Sequence, residues 1–457
     1  MPRYRVTIRG KDYDAMADLV RKYRVAISGH TVTSLARGAY SVHALTTGQE
    51  IRTLEGLGYK ITRHEDVDVE GRKRRAEIRK AAPGTAAAAA RVDDATGYLT
   101  VAHVEDALAA EAGPPNAAFV QRFALPHATW EGRTSHAVKI GHGTAANRVG
   151  IYLLGGIHAR EWGSPDILVN FVQKLDAAYR THTGITIGQN SFSASQIQSL
   201  VDGKDIYVFP QANPDGRLYS MTTDADWRKN RRPAPAGSTG PACVGVDLNR
   251  NYDFLWDFKK YFDPQAPVRN STDPCDPEIY IGPSAFSEPE TRNVVSIMDT
   301  RPNVRYFVDI HSYSEDILYN WGDDVNQANR PDMNFHNPAF DGKRGISNDT
   351  AYKEFMPSAD QTAAVKLARV MRDAIKATRG RQYTVMQSLS LYPTAGTSDD
   401  YAFSRHIVDP GKPKIYSYTI EWGRETNPTP FHPPYTEMSR IIQEITAALL
   451  AFCIKAT

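Results

Sequence analysis

A histidine and a glutamate stand three residues apart in the most chemically suggestive stretch of the sequence. His158 and Glu161 follow an apolar run at 149–154, which predicts a strand buried on both faces. Ser164 and Pro165 come next and predict a helix start, with Ser164 as the capping residue and Pro165 at the first helical position. A strand-to-helix turn of this kind directs side chains into a cleft beyond the carboxyl end of the strand. Because imidazole nitrogen and carboxylate oxygen both bind zinc at about 2 Å, His158 and Glu161 can share one ion.

A catalytic zinc site needs a third ligand, since a histidine and a glutamate at this spacing also occur by chance in many chains. His311 ends a second apolar run, 304–310, which also predicts a strand. If the two strands run parallel, their carboxyl ends meet at one edge of a sheet and His311 joins His158 and Glu161. Two histidines and one carboxylate, with the fourth position left to water, are the ligands of hydrolytic rather than structural zinc. The sequence therefore predicts one zinc ion held by these three residues.

Seven short blocks of the chain, in a fixed order, carry a family resemblance. They occupy residues 158–162, 213–216, 227–229, 246–251, 310–313, 391–396 and 419–421. Together they resemble the zinc metallocarboxypeptidases of the carboxypeptidase A/B family, and the resemblance spans residues 98–457. It implies a zinc-dependent exopeptidase that hydrolyses the C-terminal peptide bond of peptides or proteins.

The resemblance implies catalytic roles for Glu421 and Arg228. Glu421 follows the predicted strand 415–420 and would take a proton from the zinc-bound water and pass it to the leaving amine. Arg228 would join zinc in stabilising the oxyanion of the tetrahedral intermediate. Taken without the family, Glu421 is an ordinary surface glutamate and Arg228 belongs to a solvated cluster of cations at 226–232.

Five further residues resemble the substrate contacts of the family. Asn249 and Arg250 match the pair that binds the terminal carboxylate of the substrate, a task for which the planar guanidinium suits both carboxylate oxygens. Tyr392 matches a mobile tyrosine that closes over that carboxylate, and Arg160 and Tyr313 match contacts in the outer subsites. A purely structural aromatic is the alternative interpretation for both tyrosines.

The resemblance also places Asp399 at the base of the pocket that receives the side chain of the leaving residue. The matching position is apolar in members that prefer aliphatic or aromatic termini, so an aspartate favours a carboxypeptidase B-like preference for terminal Arg or Lys. A terminal Leu would leave Asp399 desolvated and unpaired, at a cost of about 1 to 3 kcal/mol. Water in the pocket, and hence mixed specificity, is the alternative. The neighbouring Asp400 is interpreted as structural.

Two other functions are consistent with the same fold. One is a binding module that keeps the fold without the chemistry, although every ligand, the base and the carboxylate clamp are present here. The other is a zinc hydrolase that trims cell-wall peptides or cleaves small acyl amino acids. The clamp formed by Asn249, Arg250 and Tyr392 favours an exopeptidase, because it recognises a free C-terminal carboxylate.

The composition of the 457-residue chain argues against nucleic acid and membrane partners. Its 54 basic and 52 acidic residues nearly cancel, so no global field attracts nucleic acid. No apolar run approaches the roughly 18 residues of a transmembrane helix. We expect peptide or protein C-termini as the partners and a monomeric protein. The first residues lack the apolar region of a signal peptide, which leaves cytoplasm and secretion both open.

The N-terminal residues 1–66 predict a small α+β domain with the order β-α-β-β-α-β, typical of a ferredoxin-like fold. Thr47 and Glu50 predict a capping box for a helix with Leu57 on its inner face. Ahead of a carboxypeptidase, this domain resembles the propeptide of the family, which covers the active-site cleft. A basic, alanine-rich linker is predicted at 67–97. Its basic run is either a solvated helix face or a protease-sensitive activation segment.

The catalytic domain is predicted at 98–457 as an α/β fold, with a mixed central sheet and helices on both faces. The clearest helices are predicted at 101–111, 165–179, 361–378 and 435–453. Long loops at 228–285 and 322–360 are expected to be functional and to shape the cleft.

The three cysteines bear on the compartment of the protein. Cys243 and Cys275 lie where many relatives carry a disulfide, so the resemblance implies one here, with two reduced thiols as the alternative. Cys453 occupies an apolar position in the last predicted helix and is interpreted as a small core residue.

Overall fold

The computed structural model describes residues 2–23, 25–27, 33–34, 39–78, 91–143, 147–425 and 429–457. Its strands are β1 Arg3–Gly10, β2 Ala26–Ile27, β3 Thr33–Ser34, β4 Tyr40–Thr47, β5 Lys60–Asp66, β6 Val120–Ala124, β7 His136–Ile140, β8 Val149–Gly155, β9 Ile185–Ile187, β10 Asn190–Phe192, β11 Lys204–Phe209, β12 Val304–Ser312, β13 Asp316–Tyr319, β14 Asn326–Gln327, β15 Glu354–Phe355, β16 Thr384–Gln387 and β17 Tyr416–Trp422.

The helices connect these strands on both sides of the larger sheet. They are α1 Tyr13–Arg21, α2 Gly48–Gly56, α3 Val67–Arg75, α4 Val101–Glu111, α5 Gly163–Thr181, α6 Ala194–Gly203, α7 Pro214–Thr222, α8 Phe258–Tyr261, α9 Pro289–Thr300, α10 Ser358–Arg379, α11 Ser398–Val408 and α12 Tyr435–Lys455. Among the described residues, no helix is both long enough and apolar enough to cross a membrane.

The N-terminal domain, named here for residues 2–75, is a small antiparallel sheet with helices packed on it. Its strand order is β2-β4-β1-β5, which confirms the predicted ferredoxin-like arrangement. The capping box of α2 is present, because Thr47 and Glu50 bond to each other's main-chain N–H groups. Leu57 lies beyond the end of α2 and is half exposed, so its predicted place on the inner face is wrong.

The predicted linker at 67–97 begins with regular structure rather than with irregular chain. Helix α3 carries the basic run, with Arg72 and Lys73 exposed but Arg74 buried and paired with Glu77 at 2.8 Å. The basic run is therefore partly a helix face that packs on the protein. The alanine tract falls outside the described residues, and the predicted domain boundaries stay predictions.

An eight-stranded mixed sheet forms the centre of the C-terminal domain, named here for residues 91–457. Its strand order is β16-β13-β17-β12-β8-β11-β7-β6. The middle strands β17, β12, β8 and β11 run parallel, and antiparallel pairs flank them. Parallel strands buried on both faces read as continuous apolar runs, which is why the sequence pattern located β8 and β12 correctly.

Two apolar layers cover the faces of this sheet and confirm the predicted α/β class. Helices α4, α5, α6, α10 and α12 bury their apolar stripes on one face. Helices α9 and α11 pack on the other face, together with the chain around residues 248–262. The candidate site lies on this second side, at the carboxyl ends of the parallel strands.

The turn between β8 and α5, which carries His158 and Glu161, differs from its predicted form at the start of α5. The helix begins at Gly163, and its capping position is Trp162, which makes no side-chain cap. Ser164 is therefore not the cap; its hydroxyl accepts a hydrogen bond from Trp422 Nε1 at 3.0 Å. A tertiary contact to β17 has taken the place of the local cap that the sequence indicated.

The predicted loop 228–285 is tied together covalently in the structure. Cys243 and Cys275 are joined by a disulfide. Cys453 is fully buried in α12, as expected of a small core residue.

Candidate active site

His158, Glu161 and His311 bring three potential metal ligands together. One ligand atom from each lies within 4.8 Å of the other two, and all three side chains are buried. The two Nδ1 atoms of His158 and His311 are 3.0 Å apart, and Glu161 lies 2.7 Å from the first and 3.3 Å from the second. Two imidazoles and a carboxylate that converge in this way form a donor set that suits zinc.

The local backbone explains why the turn after β8 can present two ligands. Gly156 adopts φ +68°, a left-handed conformation that favours glycine, and a Cβ there would lie 3.0 Å from Gln211 Cα. The chain reverses sharply at this point and carries His158 and Glu161 above the end of the strand. Ser312 N–H donates to Glu161 Oε2 at 3.1 Å and fixes the carboxylate against β12.

The sequence predicted that His311 and Glu421 follow their strands. In the structure both residues lie inside them, His311 in β12 and Glu421 in β17. They are register partners on the parallel strands β12 and β17. Glu421 is buried, and burial raises its pKa well above the usual value. The ladder between the strands thus sets a carboxyl group beside the third candidate ligand.

A buried aspartate stands behind each histidine. His158 Nε2 lies 3.2 Å from Asp247 Oδ1, and His311 Nε2 lies 3.0 Å from Asp309 Oδ2. Carboxylates behind metal-binding histidines fix the tautomer and the direction of the ring, leaving Nδ1 for the metal. Neither aspartate was predicted from the sequence to have a role. The signal for Asp309 was available, because a residue two before His311 on the same strand must share its face.

Arg228 is held by the same aspartate that supports His158. Its Nη2 and Nε donate to Asp247 Oδ2 at 2.9 and 3.1 Å. Burial by itself would raise the pKa of Asp247, but Arg228 and His158 lower it well below its usual value. Arg228 is therefore a fixed cation, and its Nη1 comes within 3.5 Å of His158 Nδ1.

Asn249, Arg250 and Tyr392 line the same cavity as His158 and Glu161, two members of the metal triad formed by His158, Glu161 and His311. Asn249 Oδ1 accepts from the Ser398 N–H at 2.8 Å, which orients the amide. Arg250 lies 6.0 Å from the centre of the Tyr392 ring. The guanidinium is in turn braced by main-chain carbonyls, with Nη1 donating to Asn249 O at 2.6 Å.

The two residues expected in outer subsites differ from each other in position: Arg160 lines the cavity and Tyr313 does not. Arg160 lines the cavity, forms a two-bond ion pair with Glu278 at 2.7 and 3.0 Å, and lies over the Phe431 ring. Tyr313 is 1% exposed and packs on Phe431 at 4.9 Å. Tyr313 is absent from the cavity lining formed by the described residues, and its role as a substrate contact stays a prediction.

Asp399 is buried beneath the site rather than in the wall of the cavity. Its Oδ2 accepts from Thr419 Oγ1 at 3.1 Å, and Thr419 lies two residues before Glu421 on β17. Within the described part of the chain, Asp399 forms no ion pair with an arginine or lysine. Asp400 accepts hydrogen bonds from Asn320 and from the Gly322 N–H, in keeping with its structural interpretation.

The N-terminal domain reaches the cavity through Ile27, which is one of its lining residues. Arg269 Nη2 donates to the main-chain oxygen of Ile27 at 2.9 Å. With Ile27 in place the cavity measures about 50 Å³, far below the several hundred Å³ of a typical ligand site. Neither Ile27 nor Arg269 was predicted to reach the site, because their contact joins segments 242 residues apart in the sequence.

Comparison with known proteins agrees with this geometry. Residues 115–448 match the zinc carboxypeptidase family, Peptidase_M14. Carboxypeptidase B of Astacus astacus is 32% identical over 295 residues, covering 64% of this chain and 76% of the relative. Carboxypeptidase B of Homo sapiens is 30% identical over 323 residues, covering 70% of this chain and 62% of the relative. The chain therefore belongs to the zinc carboxypeptidase family.

Solved structures show the same fold over the whole chain. Thrombin activatable fibrinolysis inhibitor superposes with a TM-score of 0.71 at 19% identity, covering all of both chains. Carboxypeptidase A of Helicoverpa armigera gives a TM-score of 0.71 at 20% identity, covering 100% of this chain and 98% of the other.

Family membership makes the chain a metallocarboxypeptidase-type hydrolase with one catalytic zinc ion. His158, Glu161 and His311 are the only described group of three or more histidine, cysteine or acidic side chains close enough to hold a metal. The donor set, the burial and the supporting aspartates all fit zinc.

Proposed function

We propose that this protein removes the C-terminal residue from peptides, with a preference for terminal Arg or Lys. The observation that carries the proposal is the meeting of the metal triad, Glu421, Arg228 and an arginine-lined cavity at one edge of the sheet. When bound, zinc supplies a Lewis acid that polarises the scissile carbonyl and acidifies a water molecule.

The side chains of this protein then divide the remaining tasks. Glu421 takes the proton of the attacking water and returns it to the leaving amine, a role supported by its buried place beside His311 in the register of β12 and β17. Arg228, fixed by Asp247, offers its guanidinium to the charge that develops on the carbonyl oxygen. Asn249, Arg250 and Tyr392 orient the substrate by its terminal carboxylate.

The preference for basic residues rests on Asp399. It is buried, and among the described residues it lacks a cationic partner, so the guanidinium or ammonium of a substrate can supply one. The name carboxypeptidase B, borne by relatives at about 30% identity, supports the same preference. Mixed specificity is the second candidate, because Asp399 is absent from the present lining of the cavity.

The N-terminal domain acts as an inhibitory prodomain in this proposal. Ile27 fills the entrance of the cavity, and Arg3 fixes the domain through Asp224 on the catalytic side at 2.7 Å. Cleavage in the segment after α3 would let the domain leave. The basic run in α3 lies beside that segment, although Arg74 is buried within it.

The test is hydrolysis of peptides that differ only in their last residue, by the zinc-loaded full chain before and after mild trypsin. The proposal expects release of the terminal residue, more from peptides ending in Arg or Lys, and more after trypsin. A chain that releases no terminal residue from any peptide after trypsin, while holding one zinc, would contradict the proposed activity. Internal cleavage or amide hydrolysis would indicate the alternative substrates.

A further inference from the structure

Four arginines line the cavity beside the metal triad, and they fall into two pairs. Arg160 and Arg228 are each bound to a buried carboxylate, that of Glu278 and that of Asp247. Their charges are already balanced within the protein. In the part of the chain that the structure describes, the other two arginines, Arg250 and Arg269, form no ion pair with a carboxylate.

Arg250 and Arg269 bond to main-chain carbonyls instead. Arg250 Nε donates to the carbonyl of residue 269 at 2.7 Å, and Arg269 Nη2 donates to Ile27 O at 2.9 Å. A neutral carbonyl accepts a hydrogen bond but does not balance the charge of a guanidinium. The wall of the cavity therefore holds two cations whose counter-ion is not part of the described structure.

Hydrogen bonds made by its main chain place Arg269 beside Arg250 and Tyr392, two of the residues that are expected to hold the substrate carboxylate. Its main-chain N–H donates to Pro393 O at 3.0 Å, next to Tyr392. The guanidinium carbon lies 5.4 Å from the Tyr392 ring centre, and that of Arg250 lies 6.0 Å from the same ring. Tyr392 thus lies close to both guanidinium groups, which contact the same cavity.

The electrostatics of this pair favour an anion. Burial lowers the pKa of Arg269, and the charge of Arg250 lowers it further. A carboxylate relieves both effects, because it has two oxygens and can take a hydrogen bond from each guanidinium. Departure of the N-terminal domain removes the Ile27 carbonyl from Arg269, and a substrate carboxylate can then take its place as a stronger partner.

We propose that Arg269 is a second substrate-binding cation, which shares the terminal carboxylate with Arg250, and that Ile27 O occupies its hydrogen-bonding position in the intact chain. This rests on the proposed function and adds a residue to that site. One guanidinium thus serves two states, binding the N-terminal domain before its release and the substrate afterwards.

The experiment measures binding rather than turnover. Zinc-loaded Glu421→Gln protein, which is expected to turn over substrate at least a hundredfold more slowly, is treated with trypsin and the trypsin is removed. Its Kd is measured calorimetrically for an acetylated tripeptide ending in Arg with a free carboxylate, and for the same tripeptide as its C-terminal amide. We expect the acid to bind at least tenfold more tightly than the amide.

Variants of Arg269 then test its share of that preference. Arg269→Gln should reduce the ratio of the two Kd values at least fivefold, and Arg269→Lys should reduce it less, because the charge is kept but the planar fork is lost. Arg301→Gln is the matched control, since Arg301 also stacks on aromatic rings, those of Phe123 and Tyr207, but lies outside the cavity. A ratio for Arg269→Gln within twofold of the parent overturns the proposal, as does a parent that binds acid and amide equally.

The uncut chain tests the part played by Ile27. It should bind the acid at least tenfold more weakly than the trypsin-treated chain, and equal affinity would refute the shared position. Failure of the proposed function is a separate result: wild-type protein would release no terminal residue, while the acid preference and its dependence on Arg269 would persist.

Discussion

His311 and Glu421 face each other as register partners on two parallel strands, β12 and β17. The proposed third zinc ligand and the proposed general base are therefore positioned by one ladder of main-chain hydrogen bonds. Loops contribute the remaining groups, but the distance between ligand and base depends on the most rigid part of the fold. A substitution at either residue should thus change chemistry with little effect on the sheet.

Removal of His311 should abolish zinc binding. In the variant His311→Ala, the metal loses one of three protein ligands, and two ligands do not make a catalytic zinc site. Metal analysis after dialysis should find one zinc per chain in the wild type and far less than one in the variant, with activity lost in parallel. His336→Ala is the control. It changes an exposed histidine outside the candidate ligand group, and the variant should keep its zinc. Full zinc occupancy in His311→Ala would refute the ligand assignment.

Replacement of Asp399 should change which terminal residue is removed. Asp399→Ile removes the carboxylate that we propose lies at the base of the substrate pocket, so kcat/KM for a peptide ending in Arg should fall about ten- to a hundredfold relative to one ending in Leu. The control Asp409→Ile changes an exposed acid just after the same helix and should leave the ratio unchanged. A wild-type ratio near one that Asp399→Ile does not alter would end the proposal of basic specificity and leave the zinc chemistry intact.

Weakening the contact between the two domains should raise the activity of the uncut chain. Both oxygens of Asp224 accept hydrogen bonds from Arg3 across the interface, at 2.7 and 3.1 Å. The ion pair is partly exposed, so we expect a contribution of up to about 1 kcal/mol and a two- to fivefold rise in residual activity for Asp224→Asn. Asp18→Asn, which removes an exposed pair with Lys22 inside the N-terminal domain, is the control. Equal residual activity in both variants would argue against an inhibitory contact at Asp224.

Stability should depend on pH through Glu290, a buried residue in the first turn of α9. Burial raises its pKa to about 8, whereas the unfolded chain titrates near the ordinary value of about 4.5. Between these values the folded state holds a proton that the unfolded state has released, so the free energy of unfolding falls by about 1.4 kcal/mol per pH unit as pH rises. Glu290→Gln should remove this dependence and gain stability relative to wild type at pH 8, but not at pH 4.

The neighbouring Glu288 provides the matched comparison. It is equally buried but pairs with Arg232 at 2.8 Å and accepts further hydrogen bonds from Trp130 and Asn230. Glu288→Gln removes a paired charge and should destabilise the protein at both pH values, by roughly 1 to 3 kcal/mol. Denaturant unfolding at pH 4 and pH 8 measures all three proteins. A Glu290→Gln curve parallel to that of wild type would contradict the assignment of the raised pKa.

The sequence predicted the metal triad because its signals are local. Apolar runs identify β8 and β12, and a ligand at the end of such a run has only one edge of the sheet to occupy. The helix at 101–111 was predicted with its observed bounds, since Thr100 caps it and an apolar stripe follows. The predicted fold class is confirmed by the sheet and by the structural relatives, and the predicted use of zinc is confirmed by family membership.

The remaining features depend on contacts between distant segments. Ser164 has the type and position of a cap, but it bonds to Trp422 instead, 258 residues later. Arg269 belongs to an irregular loop, and its meeting with Ile27 joins residues 242 apart in the sequence. No periodicity marks such pairs, because side chains in loops take their partners from tertiary packing rather than from local spacing. The role of Asp399 stays a prediction for the same reason, since the closed cavity does not reach it.

The most direct measurement of the central claim is the turnover of zinc-loaded Glu421→Gln after trypsin treatment. The substitution keeps the shape of the side chain and removes its ability to accept the proton of the attacking water. We expect one zinc per chain, an unchanged fold and a kcat at least a hundredfold below that of wild type for a peptide ending in Arg. A kcat within tenfold of wild type, at full zinc occupancy, would show that another group moves the proton and would contradict the account.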